Sequence, residues 1–310
     1  MHTIFGAGGP TANALTTELI KQGQPVRLVS RRPVAIHNPQ VTWQKADLLQ
    51  YAEVLQAAQG SSIIYFCAGL VYDKNVWQQQ WPVIMQNMIN VTKETGARFI
   101  FFDNVYMYGL VNGSMTEQTP YNPISVKGEV RARIATQLME EVKAGNIRAT
   151  IARAADFYGS ETMNSFYDSM VLNKYAQKQR AQWLGDVNTK HSFTYVADTG
   201  KAMYLLGQNS EADNQIWHLP TAPALTGKEF IELAAKAYQV APKYSTVNKL
   251  MLQLAGLFSK LIQGTVEMYY QYNHDYIFDS TKFEKAFQVK PTTYAAGIKQ
   301  VSETLIKPKA

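Results

Sequence analysis

The chain has 310 residues, 46% of them apolar and 17% charged, with a formal net charge of +6. That is enough apolar material for one large core or two unequal domains, and it excludes a disordered chain. Its single cysteine, Cys67, excludes an intrachain disulfide and a cysteine-cluster metal site, and a cytoplasmic protein is expected.

No secretory leader is expected at the N-terminus, where His2 to Phe5 read as a strand. No run approaches the ~18 consecutive apolar residues of a spanning helix. The richest stretch, 250–262, is interrupted by Gln253, Ser259 and Lys260, so no membrane partner is expected. The five histidines, His2, His37, His191, His218 and His274, form no i, i+4 pair, and no metal is expected. Basic residues are dispersed, with Arg31-Arg32 as a doublet, which speaks against nucleic acid and for small anionic ligands.

In chain order, short apolar runs alternate with longer helical patterns through the first half. Strands are expected at 3–5, 26–30, 41–43, 62–67, 98–103 and 149–153, most of them too continuously apolar for surface ribbons. Helices are expected at 11–22, 51–58, 77–95 and 125–144, with Gly23, Gly60, Gly96 and Gly145 at or just past their ends. This is an α/β pattern, a Rossmann-type doubly wound parallel sheet. Beyond Tyr158-Gly159 longer helices follow, at 163–176, 196–206, 227–238 and 246–262, forming a smaller, mainly helical C-terminal lobe. Runs 193–195 and 215–218 read as strands returning to the first lobe. The expected domains are 1–158, with 192–220 returning to it, and a substrate-binding lobe of 159–191 and 221–310.

Directly after the first strand stands Gly6-Ala7-Gly8-Gly9-Pro10-Thr11-Ala12. Gly6 permits a tight turn, Gly9 lets backbone approach a pyrophosphate, and Ala12 allows close packing of helix on strand. With the N–H groups and dipole of the helix start, Gly6, Gly8, Gly9, Pro10 and Thr11 are expected to hold a nicotinamide dinucleotide. No lysine follows, so the turn is not a P-loop. The second strand ends in Ser30-Arg31-Arg32, where an NAD site usually carries a carboxylate for the ribose 2′-hydroxyl. Paired hydrogen bonds from Arg31 and Arg32 suit a 2′-phosphate, so NADP(H) is expected ahead of NAD(H), the alternative being that the arginines are simply solvated. Asp47 either faces the adenine or caps the next helix.

These residues resemble the short-chain dehydrogenase/reductase superfamily, in particular its extended branch, the NAD-dependent epimerase/dehydratase family. The resemblance runs along almost the whole chain. Gly6 to Ala12 is similar to the family's glycine turn, Cys67-Ala68-Gly69 to the segment after its fourth strand, and Tyr108-Gly109 to its Tyr-Gly pair. Arg153 with Tyr158-Gly159, and Tyr195-Val196-Ala197-Asp198, are similar to later landmarks. The resemblance places Ala68 and Gly69 beside the cofactor.

Family chemistry uses a Tyr-x-x-x-Lys pair with a Ser or Thr, because an ammonium lowers the pKa of the phenol. Lys127 falls at the lysine position, but the residue four before it is Pro123; a register slipped by one gives Ile124 and Gly128 instead. Either register removes the phenol. The Ser/Thr position, four before Tyr108, holds Asn104, which can orient a carbonyl but not relay a proton. The departures resemble the atypical short-chain dehydrogenases. Asn104, Tyr121 and Lys127 are the expected catalytic set, with Tyr106 and Tyr108 as further candidate phenols and Tyr108 read as structural.

Trp77 and Trp81, spaced i, i+4, are read as core, as are Tyr269, Tyr270 and Tyr272, with Cys67 as small core filler and His191 as a loop histidine. The resemblance implies an NADP(H)-dependent oxidoreductase, or an epimerase/dehydratase-like enzyme, acting on a small carbonyl or sugar-like substrate. A homodimer through the helices 77–95 and 125–144 is the assembly it allows. The rival reading is a non-catalytic NADP(H)-binding sensor, which the missing tyrosine favours.

Overall fold

The computed structural model describes residues 1–36, 38–159 and 165–306. His37 and the first two residues of the expected helix at 163–176 lie outside the described residues. The chain divides into two compact units, one of Met1–Gly109, Tyr121–Ala154 and Thr199–Leu219, the other of Leu110–Pro120, Ala155–Asp198 and Pro220–Ala310.

The first unit is built on β1 (His2–Phe5), α1 (Pro10–Lys21), β2 (Val26–Ser30), β3 (Val41–Lys45), α2 (Tyr51–Ala58) and β4 (Ile63–Phe66). It continues with α3 (Lys74–Thr95), β5 (Arg98–Asp103), α4 (Val126–Lys143), β6 (Ala149–Arg153), α5 (Val196–Gln208) and β7 (Ile216–His218). Seven strands form one sheet in the order β7-β6-β5-β4-β1-β2-β3. Each pairing is parallel. The order reverses between β1 and β4, and at such a switch point the C-terminal strand ends open a crevice for ligands.

Local chemistry fixes the helix ends. Asp73 accepts from the N–H groups of Asn75 and Val76 at the start of α3, and Gly96 closes that helix at φ 64°. Ser125 accepts from Gly128 N at 3.0 Å to start α4. Trp77, Trp81, Ile84, Met85 and Met88 of α3 are buried against Phe66, Phe99 and Phe101. Burial of each such side chain stabilises by about 1.5–3 kcal/mol. On α5, a Cβ at Gly200 would lie 2.4 Å from the carbonyl of Ala14, so α5 crosses α1 backbone to backbone.

The second unit differs from the expected helical lobe in its strands. Alongside the helices Gly227–Ala237, Lys249–Gly256, Lys260–Val266, Thr281–Phe287 and Tyr294–Ile306 it holds, among the described residues, four two-stranded sheets. Phe193–Tyr195 pairs with Asp156–Tyr158 in one of these, while Ile216–His218 joins the central sheet. The expected helix at 246–262 is divided: Tyr244–Val247 is a strand, and Asn248 and Ser259 each cap a separate helix. Of the expected helix at 163–176, the described residues from 166 on are helical, widened to π-helical turns at Asp168–Leu172 before Asn173–Ala176. Tyr158, Tyr167, Phe193, Phe230 and Tyr294 form an aromatic core in this unit.

Candidate cofactor and catalytic site

Gly6 leaves β1 at φ +86°, and its N–H donates to Val29 O at 3.0 Å. A Cβ there would meet the Ala68 backbone at 2.4 Å, so the turn after β1 lies directly on the segment after β4. Gly8 also has positive φ, at +91°. Gly9 starts α1 with extended backbone, and the nearest atom to a Cβ there is Gly6 O at 3.7 Å. No side chain caps α1, Pro10 stands at its start, and its first turn holds no acid. The N–H groups of that turn therefore meet no anion from the helix's own first turn and no capping side chain. These residues fit the pyrophosphate of a dinucleotide.

Arg31 and Arg32 follow β2 and are exposed, with no ion pair to any described residue. The Ser30 hydroxyl accepts from Trp43 Nε1 at 3.0 Å and donates to Arg32 O at 2.6 Å, which fixes the backbone of this corner. Asp47 is half-buried after β3, and its carboxylate accepts from Leu49 N at 3.0 Å. The cap of α2 is Gln50, so the capping reading of Asp47 is corrected: the chain turns for three more residues before the helix begins.

At the end of β5, Asn104 Oδ1 accepts from Tyr106 N at 3.1 Å and shapes the turn Tyr106–Tyr108. The Tyr72 hydroxyl donates to that of Tyr106 at 3.2 Å. Lys127, wholly buried at the start of α4, holds its Nζ 4.2 Å from the Tyr72 ring centroid and 6.0 Å from that of Trp77. One turn later, the Arg131 guanidinium lies 4.1 Å from the Trp81 ring. Two cations at i, i+4 on α4 thus meet two indoles at i, i+4 on α3.

Beneath them is a buried polar network. Asp103 takes Arg131 Nη1 at 3.2 Å and Arg153 Nε at 3.4 Å. Arg153 also donates to the hydroxyls of Tyr108, at 2.7 Å, and Tyr121. Tyr108 in turn meets His218 Nε2 at 2.8 Å. Burial pushes the Asp103 carboxyl up, against the pull of Arg131 and Arg153. Burial also pushes the Tyr108 phenol up to about 12, with Arg153 opposing. Tyr108 is therefore protonated at neutral pH and holds the network together.

The family model for the NAD dependent epimerase/dehydratase family matches residues 2–219. The chain belongs to that family. No curated protein sequence matches it. Among solved structures, this family member is similar to MoeE5 in complex with UDP-glucuronic acid and NAD, at 17% identity and TM-score 0.79, covering 97% of each chain. It is similar to Thermus thermophilus UDP-glucose 4-epimerase in complex with NAD, at 14% identity and TM-score 0.80, covering 98% of this chain and 99% of the other. A third similar structure is the dTDP-glucose 4,6-dehydratase DesIV from Streptomyces venezuelae with NAD bound, at 14% identity and TM-score 0.78, covering 98% and 96%. At such identities the likeness is one of fold.

In this epimerase/dehydratase-family chain, Lys127 and Gly128, the residues that the two registers offer, differ in their surroundings. Lys127 points into the aromatic cluster, whereas a Cβ at Gly128 would lie 2.6 Å from Tyr106 O, leaving no room for a side chain. Gly109 is equally constrained, because Asn122 O would be 2.0 Å from its Cβ. That crossing carries Tyr121 past Tyr108, to the side of Arg153. Lys127 is gathered with Tyr72 and Tyr106, and the hydroxyl of Tyr121 is engaged by Arg153. Sequence reasoning missed Tyr72, which stands in a loop without periodicity, and missed Asp103 with Arg131. A signal for Arg131 existed in the matching four-residue spacings of Lys127/Arg131 and Trp77/Trp81.

Proposed function

We propose that this protein is an NADP(H)-dependent oxidoreductase or epimerase/dehydratase acting on a small carbonyl or sugar-like substrate, with Tyr106 serving where the family tyrosine is absent. The observation that carries the reading is the phenol pair Tyr106–Tyr72 beside Lys127, two residues past Asn104. The solved neighbours named above carry NAD with nucleotide sugars or act on them, which supports the substrate class.

Gly6, Gly8, Gly9, Pro10 and Thr11, with Ala68 and Gly69 alongside, would hold a nicotinamide dinucleotide, whose chemistry when bound would be hydride transfer. In the reducing direction Tyr106 donates its proton to the substrate oxygen and recovers one from Tyr72. The Lys127 ammonium beside the Tyr72 ring favours the phenolate that this transfer leaves, until solvent returns the proton. The Asn104 amide N–H donates to the substrate oxygen while Oδ1 holds the turn. Tyr121 positions the Arg153 network. Arg31 and Arg32 clamp a 2′-phosphate, which supports NADP(H) over NAD(H). The sensor reading draws support from Pro123 at the tyrosine position.

The deciding experiment adds NADPH and a panel of aldehydes, ketones and nucleotide sugars to the full chain and follows absorbance of the reduced nicotinamide. Turnover is expected. Binding of NADPH without turnover on any substrate would leave the sensor reading in place of the enzyme.

A further inference from the structure

The helices Lys249–Gly256 and Lys260–Val266 carry their apolar side chains outward. Leu250, Met251, Leu254, Leu257, Phe258 and Leu261 are exposed, Phe258 at 92% and Leu257 at 75%. They lie on both helices and on the turn between them, which Leu257 and Phe258 occupy. The opposite side is already packed: Leu252, Gly256 and Thr265 are buried, and a Cβ at Gly256 would lie 3.1 Å from Gln263 Cα of the second helix. The outward stripe is therefore not a loosely closed core. Contiguous exposed apolar surface of this kind marks a contact with a partner or a membrane.

Charge selects between occupants. Residues 241–266 contain Lys243, Lys249 and Lys260, all exposed, and no Asp or Glu. Two copies of the chain meeting through this face would bring the lysines of both into one contact with no acidic residue of this stretch to offset them, because a two-fold contact uses the same patch twice. A lipid interface with anionic headgroups offers apolar depth for the leucines and phenylalanine and negative charge at the level of the lysines. We propose that this helix pair docks the protein onto an anionic lipid surface, lying in the headgroup region without crossing it. The two helices have 8 and 7 residues, and no described helix is long and apolar enough to cross.

The test is co-sedimentation of the full chain with vesicles of phosphatidylcholine alone and with added phosphatidylglycerol. Binding to the anionic vesicles is expected to be on the order of a hundredfold tighter, from three lysines near the surface, and to weaken in high salt. Leu254→Glu with Phe258→Glu should abolish binding, and Lys249→Ser with Lys260→Ser should weaken it about thirtyfold, the share of two of the three lysines. All four positions are exposed, so the melting temperatures of the variants should match the parent. Failure to sediment with anionic vesicles would overturn the proposal, as would undiminished binding by the Glu variant. A lipid-free dimer that Leu254→Glu dissociates would assign the face to a second copy and overturn it as well.

Discussion

The Lys127 ammonium stands 4.2 Å above the centroid of the Tyr72 ring, on the face of a phenol whose hydroxyl is bonded to Tyr106. A buried ammonium at that distance lowers the cost of a phenolate, which ties α4 to the proposed proton relay. Tyr106→Phe should lower kcat by about 10²–10⁴ while NADP⁺ still raises the melting temperature as in the parent. Oxidation of an alcohol needs the phenolate, so its rate rises with pH through the phenol pKa. Lys127→Met removes the ammonium and should move that rise to higher pH. Unchanged kcat in Tyr106→Phe, or an unmoved pH profile in Lys127→Met, would remove the relay.

The proposed preference for NADP(H) rests on Arg31 and Arg32. Substituting both with serine should weaken NADP⁺ binding roughly ten- to a hundredfold, the worth of losing charge-assisted hydrogen bonds to a phosphate. NAD⁺ binding should change by much less. Calorimetric titration of both cofactors against parent and variant checks it, and an equal loss for both would show that the arginines do not read the 2′-phosphate.

Asp103 holds two buried guanidinium groups with one carboxylate. Asp103→Asn keeps the shape and removes the charge, leaving Arg131 and Arg153 without their shared anion. The expected loss is about 3–5 kcal/mol in denaturant unfolding. A loss below about 1 kcal/mol would mean that the phenols of Tyr108 and Tyr121 suffice for Arg153.

The sheet was readable because its strands are continuously apolar and the glycines closing the intervening helices are explicit. Val26–Ser30, Arg98–Asp103 and Ala149–Arg153 lie where the apolar runs put them. The second unit was less readable because Asp156–Tyr158 and Tyr244–Val247 are short and find partners far along the chain, which leaves little local periodicity. At the site, the glycine turn and Lys127 were visible as motifs. Tyr72 was not, since its role depends on α4 bringing Lys127 over a loop.

The glycine turn itself divides into two tests. Gly6→Ala places a Cβ against the Ala68 backbone at positive φ and should cost at least about 2 kcal/mol of stability, with or without cofactor. Gly9→Ala meets nothing closer than 3.7 Å in the protein and should leave stability within about 1 kcal/mol. Its effect should appear as a loss of about tenfold or more in dinucleotide affinity. Equal behaviour of the two variants in unfolding would contradict the packing argument.

Under the proposed function, one half of this signature answers to the neighbouring strand and the other to the dinucleotide. A descendant that gave up its cofactor would remain under pressure to keep Gly6 and be released at Gly9. The first glycine records ancestry of shape; the second records whether the old ligand is still a customer.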